Sequence, residues 1–223
     1  YLNEEETTQL LRQVPQAYQT QINDILLTAV VQAIGDWTGE YSLYLSLEGH
    51  GRESIVESID LSRTVGWFTS IFPVHLSIET PHNLGQSLTA IKEQLSTIPN
   101  RGIGYGVLRY MTKDVKTQML KQDSNPQLNF NYLGQWDNSV NQQGLFSFAQ
   151  ESVGLSVAPS NQLQHLIDIS SQVVDGCFKS HWRYSSNHYQ DKTIQQVANH
   201  FIKHLQKTIA HCCAKHNLTG HLF

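Results

Sequence analysis

The sequence predicts a mixed α/β fold, on three observations. Helical and strand periodicities interleave along the chain, an Asp-Gly pair joins two strand-like runs as a hairpin near the end, and no repeat or low-complexity tract interrupts the pattern.

The first helix is expected in TTQLLRQV, capped by Thr7 or Thr8 and closed by Pro15. A stronger one follows from 21 to about 36, capped by Thr20. In it Ile22, Ile25, Leu26, Ala29, Val30, Ala33 and Ile34 recur at steps of three and four, a broad apolar face. Gly35 and DWTGE end it. YSLYLSLE then alternates, with Leu43, Leu45 and Leu47 on one side and Tyr44, Ser46 and Glu48 on the other, which predicts a strand with one core face. Residues 49–66 form a glycine-bounded excursion with a short helical turn around 55–59. WFTSIFPVHLSIE reads as a second strand, and Pro73 assigns it to an edge or a bulge. An amphipathic helix at 82–97, closed by Pro99, precedes NRGIGYG, a short helical VLRYMT, a polar loop and the strand QLNFNYLG. The strands QLQHLIDISSQVV and CFKSHWRYS flank the Asp-Gly turn. The closing helix runs from about 192 to 215, with Ile194, Val197, Phe201, Leu205, Ile209 and Cys212 inward.

At 223 residues the chain is long enough for a substantial core, and 39% hydrophobic with 15% charged residues is a globular composition. A net charge of -4 supplies no basic field for nucleic acid or anionic lipid, so neither is expected as a partner. No apolar run approaches the ~18 residues of a membrane span, and the acidic YLNEEETTQLL is unlike a signal peptide. Cys177, Cys212 and Cys213 offer no disulfide framework, which fits a reducing, cytoplasmic location. Tyr1 and the acidic lead into a helix read as the interior of a longer protein.

Chemistry concentrates in SLEGHGRESI. Glu48 sits at a strand end, opposite the aliphatic side, where Gly49 and Gly51 let the backbone turn tightly and a ligand approach. Two readings stand: a solvated carboxylate at a polar bend, or an acid/base group. His50 is two residues on and shares its side along an extended strand, so it either divides proton transfer with Glu48 or bonds local backbone. Arg52, Glu53, Glu57, Asp60 and Arg63 are suited to ion pairs that fix the excursion. His200, His204 and His211 share one side of the closing helix, but His211 is too far along the axis from His200 to share an ion, and no metal site is expected. Nucleophile-elbow, phosphate-loop and zinc-spaced cysteine motifs do not occur, and GIGYG lacks the spacing of a dinucleotide loop.

Four segments taken in order carry more. LEGHGRE (47–53), DLSRTVGWFTSIFPV (60–74), GIGYGVLRY (102–110) and FNYLGQ (130–135) resemble the motifs of epimerization domains of nonribosomal peptide synthetases. TQINDILLTAV before them, and VVDGCFKSHWRYS with an AHC helix end after them, extend the resemblance over essentially the whole chain. Peptide-bond-forming condensation domains tend to carry a GFFVNT-like segment where this chain has Gly66-Trp67-Phe68-Thr69, and generally lack FNYLGQ.

The resemblance implies one chloramphenicol-acetyltransferase-like lobe, a mixed sheet packed with helices. The family's HHxxxDG motif belongs to the other, N-terminal lobe, and no two histidines are adjacent here. Residues 1–223 are therefore expected to be a C-terminal lobe, inactive alone, whose partners are the N-terminal lobe and an upstream peptidyl carrier protein. The implied substrate is an aminoacyl or peptidyl thioester on the carrier's 4'-phosphopantetheine, with no cofactor bound directly. Its Cα proton would be removed and returned on opposite faces, by Glu48 from this lobe and by the second motif histidine from the other. Asn131 and Tyr132 are implied as donors near the thioester carbonyl, although neighbours on a strand point to opposite faces. Gly49, His50, Gly51, Arg52, Arg63 and Trp67 are expected to support substrate or turn. A condensation-type half or a noncatalytic carrier-docking lobe are the alternatives.

Overall fold

A computed structural model describes residues 1–55, 59–114, 126–135 and 161–219, together with 117, 119, 120, 151, 154 and 158. Residues 56–58 of the helical turn expected around 55–59, and most of the polar loop before FNYLGQ, lie outside the described residues.

Helix α1 (Glu4–Arg12) begins earlier than expected. Asn3, rather than Thr7 or Thr8, is its cap: the Asn3 side chain accepts from the Glu6 backbone, and the Glu6 carboxylate accepts from the Asn3 N–H. Thr7 is buried instead, and its hydroxyl accepts from the Phe178 N–H at 2.9 Å. Pro15 does not close α1; it occupies the first turn of a separate short helix α2 (Val14–Tyr18), where its missing N–H costs nothing. Helix α3 (Ile22–Thr38) is capped by Gln21, with the Asp24 carboxylate accepting from the Gln21 N–H at 2.7 Å. The expected cap, Thr20, is buried with an unpartnered hydroxyl. Gly39, in the left-handed region, ends the helix two residues beyond the sequence estimate.

Five strands form one sheet, in the order β2-β1-β3-β4-β5: β1 (Ser42–Gly49), β2 (Ser70–Ser77), β3 (Leu128–Gln135), β4 (Ile167–Val174) and β5 (Cys177–Tyr184). The pairs β1/β2 and β4/β5 are antiparallel, while β3 is parallel to both β1 and β4. The mixed α/β expectation holds. Pro73 lies on the edge strand β2, as its missing donor requires. That strand starts at Ser70, so Trp67 lies outside it. Asp175 and Gly176 both have positive φ, 53° and 69°, and form the tight β4/β5 turn.

Helices α4 (Leu84–Ser96) and α5 (Asp191–Thr219), with α3, cover one face of the sheet. Period two in the strands supplies the apolar face: Leu45, Leu47, Phe72, Val74, Leu128, Phe130, Ile167, Ile169 and Phe178 are all buried there. The six inward residues expected of α5 are buried too. Helix α3 differs from an amphipathic surface helix in being buried on every side from Asp24 to Gly35, because it packs against β1, α4 and α5 together. The opposite face of the sheet is polar.

The excursion after β1 is tied down at Gly51. Its φ is +65°, and a Cβ there would lie 1.6 Å from the Phe68 carbonyl oxygen. Gly51→Ala is expected to lower stability by about 1–3 kcal/mol, read as a drop in the denaturant midpoint; an unchanged midpoint would refute this account of the turn.

Candidate active site

The C-terminal ends of the parallel strands β1 and β3 open into a cavity of about 690 Å³. Ligands in open α/β sheets collect at this end of the strands. Leu27, Leu47 and Phe72 reach it from the core side, Glu48 and Asn131 from the polar face, and the first turn of α3 closes the far wall with Asp24. Burial pushes the Asp24 carboxyl up, against the opposing pull of the Gln21 N–H and nearby Lys92.

Glu48 ends β1 on the polar face. The register pairs Leu47 with Phe130, so the next position places Glu48 beside Asn131. The Asn131 side-chain amide donates to Glu48 Oε2 at 2.7 Å, and a second amide, from Asn129, reaches Oε1 at 3.3 Å. Glu48 is half-buried, and its carboxylate is held at both oxygens. Asn129 was not expected from the sequence, although its signal is there: LNFNYLG places asparagines two apart on a strand, hence on one face.

Strand parity argued against Asn131 and Tyr132 reaching one cavity, yet both line it. The side chains do leave opposite faces, Tyr132 packing against the apolar core, but the cavity wraps the strand ends and takes both. Burial raises the Tyr132 phenol, so it remains a protonated donor at neutral pH.

His50 follows its local reading. Its Nδ1 accepts from the Arg52 N–H at 2.9 Å and its Nε2 lies 3.2 Å from Glu53, which in turn faces Arg101 at 3.8 Å. Gly49, His50 and Glu53 line the cavity mouth. Arg52 instead ties the excursion together, donating to the Leu61 carbonyl at 2.6 Å and lying over the Phe68 ring. Asp60 accepts from the Ser62 N–H, and among the described residues it makes no ion pair with exposed Arg63. Trp67 is 91% exposed. Neither Arg63 nor Trp67 is brought to the cavity.

Two histidines of the stripe on α5 tie helices together. His204 Nε2 bonds Asp36 at 2.8 Å and His211 bonds the Tyr18 hydroxyl at 2.7 Å, pinning α5 to α3 and α2. Among the described residues no group of three or more His, Cys, Asp or Glu side chains could hold a metal ion.

Burial lowers the His204 pKa despite Asp36, so a neutral imidazole donates to the carboxylate. Burial opposes the Asp36 charge in turn, but hydrogen bonds from His204 and Tyr41 outweigh it and hold that carboxyl below its usual range. With the folded His204 pKa below the unfolded 6.5, the folded chain binds fewer protons there, and stability falls as pH drops through 6.5. Asp36, lowered from 3.8, stays ionised in that window. Between pH 7.5 and 5.5, the wild-type melting temperature should fall more than that of His204→Gln; equal falls would refute the assignment.

The sequence model of the condensation domain matches residues 2–219. Linear gramicidin synthase subunits C and D from Brevibacillus parabrevis are 45% and 46% identical over 211 residues, 94% and 95% of this chain. The chain spans only 3% and 4% of those relatives' length. The solved epimerization domain from the third module of tyrocidine synthetase B is similar at 39% identity and a TM-score of 0.88, covering 96% of this chain and 48% of that one. The first condensation domain of the CDA synthetase shares the fold, at 12% identity and a TM-score of 0.58, over 94% of this chain and 44% of that one. These neighbours have the chloramphenicol-acetyltransferase-like architecture, in agreement with the fold expected above.

Proposed function

This chain belongs to the condensation-domain family of nonribosomal peptide synthetases, and from that premise we propose that it is the C-terminal lobe of an epimerization domain. Its reaction would interconvert L and D aminoacyl or peptidyl residues carried as thioesters on a carrier protein's phosphopantetheine. The observation that carries this reading is Glu48, its carboxylate oriented by two amide donors beside the cavity. The 39% identity to a solved epimerization domain supports epimerase over condensation chemistry, as do FNYLGQ and Gly66-Trp67-Phe68-Thr69 in the sequence.

The thioester acidifies the Cα–H bond. Glu48 takes the proton from one face or returns it there, and the histidine of the HHxxxDG lobe does so from the other, giving inversion. As the Cα–H electrons move toward the thioester carbonyl, the Tyr132 phenol donates a hydrogen bond to the developing enolate oxygen. Asn131 keeps the Glu48 carboxylate in place. Gly49 and Gly51 form the turn behind Glu48, and His50, Arg52 and Glu53 brace it. No directly bound cofactor is needed for this chemistry. The partners are the other lobe and the carrier protein, in the cytoplasm; no nucleic acid or membrane is involved. Among the described residues no helix is long and apolar enough to cross a membrane.

The test loads a carrier protein with a Cα-deuterated aminoacyl group and adds the two-lobe domain in water. Loss of deuterium with appearance of the D residue is expected, and the chain alone should give neither. Peptide-bond formation without Cα exchange would replace the proposal with condensation. Carrier binding without any turnover would leave a docking lobe.

A further inference from the structure

We propose that Asn129, Asp168 and Arg183 form a positioning row across the polar face of the sheet that holds the Glu48 carboxylate for proton transfer. The inference rests on the acid/base reading of Glu48. The strand registers line the row up: Ser46 pairs with Asn129, Asn129 with Asp168, and Asp168 with Arg183. Asn129 is 5% exposed, and its Nδ2 lies 3.3 Å from both Glu48 Oε1 and Asp168 Oδ1, so each carboxylate takes one N–H. Beyond it, the Arg183 guanidinium donates to the other oxygen of Asp168.

Both neighbours of the Asn129 side chain on this side are carboxylate oxygens, and its Nδ2, not its Oδ1, faces them. In the orientation adopted, Oδ1 is buried and unpartnered. An unpaired buried acceptor costs free energy that an aliphatic residue on a central strand would avoid. A local rule broken beside a site commonly marks function, and here it leaves a donor for Glu48 Oε1. With Asn131 on Oε2, both oxygens are fixed and the plane of the carboxylate is set before substrate arrives. Arg183 pairs the Asp168 charge, which would otherwise compete for the Asn129 amide and repel Glu48.

The test uses the two-lobe domain and an aminoacyl carrier protein. Asn129→Ala should lower kcat by about 10- to 100-fold, with KM for the loaded carrier within about twofold. In a Glu48→Gln background the same change should add nothing, since it acts through the carboxylate. Arg183→Gln, at the exposed end of the row, should lower kcat by about 3- to 10-fold with the domain still folded at the assay temperature. It decides the matter if Asn129→Ala does not fold. Wild-type kcat in Asn129→Ala, or in Arg183→Gln where only that variant folds, overturns the row, as does a loss confined to KM. If Glu48→Gln disables the domain meanwhile, the epimerase reading stands. If Glu48→Gln itself turns over at the wild-type rate, that reading fails first.

Discussion

Glu48→Gln in the two-lobe domain is expected to lower the epimerization rate by about 10² to 10⁴-fold, the contribution of a positioned acid/base group. The substitution preserves shape and removes the proton acceptor. It also disturbs the local bonds in a definable way. Glu48 accepts from Asn131 at one oxygen and Asn129 at the other, so a glutamine must aim its own NH₂ at one of those donors. A stability loss of about 1 kcal/mol should accompany the rate loss. Cα deuterium exchange measured well below the melting transition separates the two effects. A rate within a factor of about three of wild type there would exclude proton transfer by Glu48, since that is only ~0.65 kcal/mol of barrier.

Phe201→Ala should do the reverse, costing about 3–5 kcal/mol of folding stability while leaving chemistry at the cavity unchanged. Phe201 is fully buried and its ring meets Phe178 and Trp182 of β5 at centroid distances of 6.2 and 6.0 Å. Truncation removes the aromatic cluster that joins α5 to the sheet, and a neighbour cannot easily fill a gap bounded by a strand and a long helix. Phe201 does not line the cavity. Denaturant unfolding should show a lower midpoint with little change in slope. A loss under about 1 kcal/mol would mean that the site collapses freely, contrary to this packing.

These two residues also mark how far the sequence could be read. Phe201 was assigned inward from the helical period of α5, and Leu45 and Leu47 from the strand alternation of β1, because each period maps directly onto a face. The helix caps were misplaced by a few residues. Asn3 and Gln21 cap where the sequence points to threonines, since capping depends on where the backbone turns, and Thr7 and Thr20 are instead buried. Glu48 was legible at the end of its strand, and the ordered motifs around it pointed to an epimerization domain. The excursion supplied more candidates than the site uses: Arg52 braces the loop, while Arg63 and Trp67 are exposed and do not line the cavity.

By itself the sequence determined most of the elements and their apolar faces, which are properties of spacing along one strand or helix, narrowed Pro73 to an edge or a bulge, and carried the resemblance to the family in its ordered motifs. Only the tertiary structure decided what Glu48 touches. Its partners Asn129 and Asn131 are more than eighty residues away and reach it because β3 inserts parallel beside β1. That pairing sets which side chains share a row, and no period within either strand encodes it. The same insertion opens the cavity at the strand ends, where Tyr132 and Asn131 meet one space from opposite faces of the sheet.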